Sequence, residues 1–269
     1  MKLYNECNSI VSLILSYFLF VCISVARFLV SPTMFVNFSR DVRARSPTSK
    51  MPSLSKNIYS SWSPDGKYLG VGNHSDVLAV FDINSGKIAK KVQFQYQINE
   101  FAFTANSDHV IVAAESGGNS TDMGGMEIIN WQNEELVPVE SIPAHTSICM
   151  GLSIDRAYQQ VAVGSSDYLV SIWDLQELVC KATVKDVNTG ARTISFSGDG
   201  KRIAVAGDSP DMYICDTNTG ETQCIVDCRG NPEKINWHPD LEIVAIGLGD
   251  KSSSRDYLKL LSLDTSFGK

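Results

Sequence analysis

The sequence predicts an all-β fold assembled from about five repeated units, on three observations. An aromatic or aliphatic anchor recurs at Trp62, Phe103, Ile154, Phe196 and Trp237, with spacings of 41, 51, 42 and 41 residues. Ten positions after each anchor an apolar run ends in Gly or Ala, at Gly72, Ala113, Gly164, Ala206 and Gly247. An Asp stands twenty positions after three of the anchors, at Asp82, Asp174 and Asp216. Short strands at a period of roughly 40–45 residues describe the blades of a β-propeller, which bury their hydrophobic faces only by stacking on one another.

A tight turn follows the anchor in several units. Ser63-Pro64-Asp65-Gly66-Lys67 and Ser197-Gly198-Asp199-Gly200-Lys201 occupy the same place in two units, and His238-Pro239-Asp240 keeps part of the pattern. Pro presets φ at the second turn position, and Asp-Gly tolerates positive φ. The next strand is β-branched, as in Val161-Ala162-Val163-Gly164, before the turn Ser165-Ser166-Asp167 and the run Ser171-Ile172-Trp173-Asp174. Asn84-Ser85-Gly86-Lys87 and Asn218-Thr219-Gly220-Glu221 then supply a second hairpin turn. Two hairpin turns per period imply three to four antiparallel strands per unit, and the Trp-Asp pair marks the blades as WD-type.

Two units are longer than the rest. The second carries a polar, Gly-rich insertion from Ser116 to Gly125, and the fifth carries Asp250 to Asp256 before its last strand, Tyr257 to Leu263. Both read as surface loops. The glycines of the first insertion precede neither Lys-Ser nor Lys-Thr, so a phosphate loop is the weaker reading.

Composition limits the function classes. The net charge of −7 is uneven: the first fifty residues carry six basic residues against Glu6 and Asp41, which leaves the remainder at −11. An acidic propeller is a poor ligand for a phosphate backbone, so RNA would be reached only indirectly and the partners would be proteins. Seven cysteines without paired spacing (Cys7, Cys22, Cys149, Cys180, Cys215, Cys224, Cys228) read as buried free thiols of a reducing compartment. Four scattered histidines give no metal pattern, and no cofactor is implied. No Gly-x-Ser-x-Gly elbow, His-Glu-x-x-His motif or singled-out carboxylate pair suggests catalysis, so the expectation is a non-enzyme with no catalytic residues.

Residues 1–40 stand outside the repeat. Ile10 to Val25 is apolar but shorter than the about 20 residues a spanning helix needs, and it reads as a signal-peptide core with Ser24-Val25-Ala26 as the cleavage site. The division expected is 1–40 as a hydrophobic, basic segment and 41–269 as the repeat domain.

From about Asp41 onward the chain resembles the THO complex subunit 3 family, the WD-repeat member of the transcription-export assembly. The resemblance is carried by Trp62-Ser63-Pro64-Asp65-Gly66, Val71-Gly72-Asn73, Ala144-His145 and the run Gly164 to Asp174. Glu177-Leu178-Val179-Cys180, Arg192 to Ser197 and Ser253-Ser254-Arg255 complete it. It implies a nuclear scaffold that joins other THO subunits and acts in mRNA processing and mRNA export through protein contacts. It also implies about two further blades ahead of the matched part, with Asp41-Val42-Arg43 as the tail of a blade and residues 1–40 as a truncated or mis-assembled N terminus. The alternative is a membrane-anchored or secreted WD-repeat interaction protein, with residues 10–25 as the anchor.

Within such blades a polar network braces the strands. In the third unit, which opens at the loop Ala144-His145, the expected members are His145, Asp167, Trp173 and Asp174, and the strand position for Ser or Thr reads as Val163, which leaves the network incomplete. Whether five units close into a ring or leave an arc is a matter for tertiary structure.

Overall fold

Successive side chains of a strand point to opposite faces. In Val110-Ile111-Val112-Ala113 and Ile203-Ala204-Val205-Ala206 both sets are apolar, so these strands need a cover on each side. A computed structural model describes residues 57–73, 75–115, 123–133, 138–249 and 257–263, and every regular element there is a strand. The apolar stretch Ile10 to Val25, Asp41-Val42-Arg43, Cys7, Cys22, most of the Ser116 insertion and the loop Asp250 to Asp256 lie outside the described residues. No helix among the described residues is long and apolar enough to cross a membrane.

The strands form five antiparallel sheets in chain order. The first holds β1 (Asn57–Trp62), β2 (Tyr68–Asn73), β3 (Val77–Asp82) and β4 (Lys87–Gln93). The second holds β5 (Ile98–Phe103), β6 (His109–Glu115), β7 (Gly124–Asn130) and β8 (Pro138–His145). The third comprises β9 (Cys149–Ile154), β10 (Gln160–Ser165), β11 (Val170–Asp174) and β12 (Cys180–Val184). The fourth comprises β13 (Thr193–Phe196), β14 (Arg202–Ala206), β15 (Asp211–Asp216) and β16 (Thr222–Asp227). The fifth has three strands, β17 (Asn231–Trp237), β18 (Ile243–Gly249) and β19 (Tyr257–Ser262). This is an all-β, five-blade propeller arrangement.

Every anchor is the last residue of the first strand of its sheet. Trp62, Phe103, Ile154, Phe196 and Trp237 stand opposite Leu69, Val110, Val161, Ile203 and Val244. The turn that follows explains the spacing of Ser, Asp and Gly. Ser63 Oγ donates to Asp65 Oδ1 at 2.7 Å, and the Lys67 amide donates to the same oxygen at 3.1 Å. Ser197, Asp199 and Lys201 repeat both bonds at 2.7 and 3.1 Å. Burial opposes ionisation of Asp65, but these donors outweigh it and hold its carboxyl down at about 2. Gly66 and Gly200 take φ of 70° and 72°, and the third sheet places Tyr158 there at 56°. The register of the turn thus overrides the usual preference for glycine.

The five sheets share four cores. Leu78 and Val80 meet Phe101, Phe103, Val110 and Val112; Ile111, Ala113 and Met126 meet Leu152, Val161 and Val163. Ala162 and Ile172 meet Ile194, Phe196, Ile203 and Val205; Ala204, Ala206, Met212 and Ile214 meet Ile235, Trp237, Val244 and Ile246. At about 1.5–3 kcal/mol for each large side chain buried, these cores dominate stability.

The Ser116 to Gly125 insertion is shorter than the sequence suggests. Gly124 and Gly125 belong to β7, paired with His145 and Pro143. Neighbouring backbone leaves no room for a side chain at either: a Cβ on Gly124 would lie 2.1 Å from the Ser147 carbonyl oxygen and 2.6 Å from the Cys149 amide that begins the next sheet, and one on Gly125 would lie 2.9 Å from the Ile142 carbonyl oxygen of β8. Gly124→Ala is therefore expected to destabilise the fold by about 1–3 kcal/mol in urea unfolding. A midpoint equal to that of the parent chain would refute this account of the glycine.

Candidate functional site

The sequence singled out four polar positions, and the structure gathers three of them with a fourth that the sequence did not mark. His145 is the last residue of β8, so it belongs to the second sheet rather than opening the third as its place in the repeat suggested. Asp167 lies in the β10–β11 turn, and Ser171 and Trp173 lie on β11 of the third sheet. His145 Nδ1 donates to the Asp167 carboxylate, 3.1 Å from Oδ2. Nε2 lies 2.8 Å from Ser171 Oγ and 3.1 Å from the Val163 carbonyl oxygen, and Trp173 Nε1 donates to Ser171 Oγ at 2.7 Å.

The hydroxyl expected at Val163 thus comes from Ser171, which stands directly opposite Val163 across the β10–β11 ladder. Spacing along one strand carries no mark of a partner on the neighbouring one. Asp167 also accepts the amides of Thr146 and Leu169, both at 3.1 Å, so its carboxylate fixes the chain on either side. Asp174 takes no part in this cluster. Its Oδ1 accepts the amides of Gln176 and Glu177 at 2.8 and 3.1 Å, as Asp82 and Asp216 do in their own turns. These donors, Glu177 first, lower the Asp174 carboxyl below its ordinary range.

Ser171, His145 and Asp167 line up as hydroxyl, imidazole and carboxylate, the parts of a nucleophilic triad. Their surroundings argue for a brace instead. Ser171 is only 4% exposed, and its oxygen already accepts the Trp173 indole N–H. A nucleophile needs a free lone pair and room for a substrate carbon. The cluster instead satisfies buried polar atoms where the second sheet meets the third.

Other polar contacts tie the sheets near the centre. Glu100 on β5 accepts the Leu152 amide of β9 at 2.9 Å and pairs with Lys234 on β17, linking the second, third and fifth sheets. At the turn end, a cleft of about 300 Å³ is lined by Asp155, Arg156, Ala157, Gly198, Asp199 and Gly200. Its carboxylates are committed to their own turns: Asp155 Oδ1 accepts the amides of Gln159 and Gln160, each at 2.7 Å. Among the described residues no group of three or more His, Cys, Asp or Glu is placed to hold a metal ion.

The cysteines divide by strand position. Cys149, Cys215 and Cys228 are buried, Cys224 is half-buried, and all are free. Cys180 departs from the expectation of burial, because it begins β12, an outer strand with solvent beside it. Burial, with the Asp167 charge adding to it, pushes the Cys149 thiol up to about 12; burial likewise pushes Cys215 up to about 11.

Residues 136–174 match the WD domain, G-beta repeat family. The chain is 30% identical over 212 residues to THO complex subunit 3 of Arabidopsis thaliana, covering 79% of this chain and 64% of that protein. It is 25% identical to WD repeat-containing protein AAC3 of Dictyostelium discoideum, covering 75% of this chain and 41% of that protein. The chain therefore spans less than two thirds of the length of these relatives. Among solved structures, a chain of the Mitotic Checkpoint Complex crystal structure superposes with a TM-score of 0.66 at 18% identity, covering 84% of this chain and 67% of that one. The Myceliophteria thermophila Cps50 (Swd1) β-propeller domain superposes with a TM-score of 0.58 at 15% identity, covering 77% and 84%.

Two measurements check the site. Ser171→Ala leaves two donors or acceptors short of a partner and is expected to cost about 1–3 kcal/mol in chemical denaturation; a loss within experimental error would remove the bracing role. In the folded protein under mildly alkaline conditions, a thiol reagent is expected to label Cys180 well before Cys149 or Cys215. Peptide mapping that finds equal rates at the three sites would contradict the burial described.

Proposed function

We propose that this chain, a WD-repeat β-propeller similar to THO complex subunit 3, is a non-enzymatic scaffold subunit of a THO-type transcription-export complex. In this reading it is nuclear, its partners are the other THO subunits, and it serves mRNA processing and mRNA export through protein contacts. The observation that carries the reading is the 30% identity to Arabidopsis THO complex subunit 3, sustained over 212 residues rather than confined to one WD unit.

The chemistry of the chain supports the reading. The brace at His145, Asp167, Ser171 and Trp173 locks one sheet onto the next, which suits a rigid body that presents loops. Tyr168, 56% exposed beside Asp167 and held at a φ of 67°, offers an aromatic ring at the rim of that brace. The charge of −11 beyond residue 50 disfavours direct phosphate binding and leaves RNA as an indirect partner.

Affinity purification tests the proposal. A tagged full chain expressed in its own cells is expected to retrieve the other THO subunits from nuclear extract. Retrieval of none of them, with the tagged chain present in the nuclear fraction, would overturn the assignment.

A further inference from the structure

The β9–β10 turn departs from the corresponding turns at the two positions that hold them together. Three residues beyond the anchor stand Asp65, Asn106, Asp199 and Asp240, but in the third sheet Ala157. One residue beyond it stand Ser63, Thr104, Ser197 and His238, but in the third sheet Asp155. The carboxylate has thus moved two places back along the turn, and a methyl group replaces the longer polar side chain. The cleft of about 300 Å³ between the third and fourth sheets opens at this point, with Ala157 of one turn and Gly200 of the next in its lining. Both sheets have a neighbour on each side: β9 packs on β5 and β13, and β13 packs on β9 and β17.

The move leaves one acceptor unspent. In the first and fourth sheets a hydroxyl and a carboxylate share the turn: Ser63 and Ser197 donate to Asp65 and Asp199 and accept the amides of Tyr68 and Arg202, at 2.9 and 3.0 Å. Asp155 closes its own turn through Oδ1 alone, which accepts the amides of Gln159 and Gln160. The residue is 4% exposed, and its Oδ2 has no hydrogen-bond or ion-pair partner among the described residues.

That oxygen faces the space left open by the missing side chain of Gly200, where a Cβ would lie 3.4 Å from Asp155 Oδ2 and 3.8 Å from Gln160 Nε2. Gln160 Oε1 is buried and lacks a hydrogen-bond partner as well. Two buried oxygens that accept and cannot donate therefore meet beside Gly200, an arrangement that is costly until a donor reaches them. The cation of the same turn is engaged elsewhere: Arg156 donates to the Pro239 carbonyl oxygen at 2.8 Å and pairs with Asp240 at 2.7 Å. Asp199, exposed in the same lining, has no Lys or Arg nitrogen at ion-pair distance among the described residues.

We propose that this cleft is a docking site for a basic side chain, an arginine or lysine projecting from a partner protein. Asp155 Oδ2 and Gln160 Oε1 accept its N–H groups, and Asp199 adds charge at the exposed side. The occupant follows from charge and shape. The unpartnered atoms call for a donor, the chain beyond residue 50 carries −11 and attracts cations, and the cleft has room for one long side chain. The site belongs to the isolated chain and stands apart from membership of a THO-type complex.

Titration of the purified full chain with acetyl-Gly-Arg-Gly-amide and acetyl-Gly-Lys-Gly-amide, followed by backbone amide NMR shifts, tests it. Saturable shifts at Ala157 and Gly200 are expected with a Kd on the order of 1 mM, because one side chain buries little surface. The same peptide with norleucine is expected to leave both amides unmoved, and the tighter of the two cationic peptides identifies the side chain. Asp155→Asn keeps a carbonyl oxygen for the Gln159 and Gln160 amides but replaces Oδ2 with a donor. It is expected to keep the parent melting temperature and to weaken binding at least about tenfold. Ala157→Leu fills the cleft without altering any charge, so an equal loss there separates the cleft from general attraction to an acidic surface; it carries the test alone if Asp155→Asn does not fold. No saturable shift with either cationic peptide, equal binding of the norleucine peptide, or an affinity unchanged in either folded variant would each overturn the proposal.

Discussion

Face-to-face burial between consecutive sheets is the constraint on which the rest of this molecule depends. A sheet whose strands read Val-Ile-Val-Ala has no face to give to water, so each blade needs a neighbour on both sides. The four shared cores answer that need, with Phe103, Phe196 and Trp237 each reaching back into the preceding sheet. Backbone closeness follows from the same packing: Gly70, Gly124 and Gly164 lack a Cβ because the next sheet already occupies its place.

Polar chemistry is arranged to serve this stacking. The first strand of each sheet is an edge whose amides lack a ladder partner on one side, a liability in any sheet. The preceding sheet supplies side-chain acceptors. Glu100 accepts the Leu152 amide, Thr193 accepts that of Ile235 at 3.1 Å, and Ser195 accepts that of Trp237 at 2.8 Å. Tyr59 adds a bond of 2.5 Å from its hydroxyl to the Ile98 carbonyl oxygen. The His145 cluster does the same work further out, and its resemblance to a catalytic triad is a by-product of satisfying buried groups.

The functional reading rests on this economy. Most of the residues that recur are consumed by turns, anchors and braces, and the remaining variety lies on loops and outer strands. A rigid body with variable loops suits binding, and an acidic surface of this kind suits protein more than nucleic acid. The proposed place in a THO-type complex follows from similarity along the chain.

The sequence by itself determined the strand count per unit, the anchors and the turn chemistry, because these depend on local periodicity and on residues two to five apart. Ser63-Pro64-Asp65-Gly66 could be read as a turn before any contact was known, and Trp62 as the anchor of a unit. Tertiary structure decided the rest. It moved His145 into the preceding sheet, put Ser171 where Val163 had been expected to leave a gap, and made strand residues of Gly124 and Gly125. It also brought Lys234 to Glu100 across 134 residues of chain. None of these has a local signature, since each is fixed by which strand lies alongside which and how closely the backbones approach. The five-fold repeat was legible in one dimension; which sheet packs on which, and how closely, exists only when the sheets are stacked.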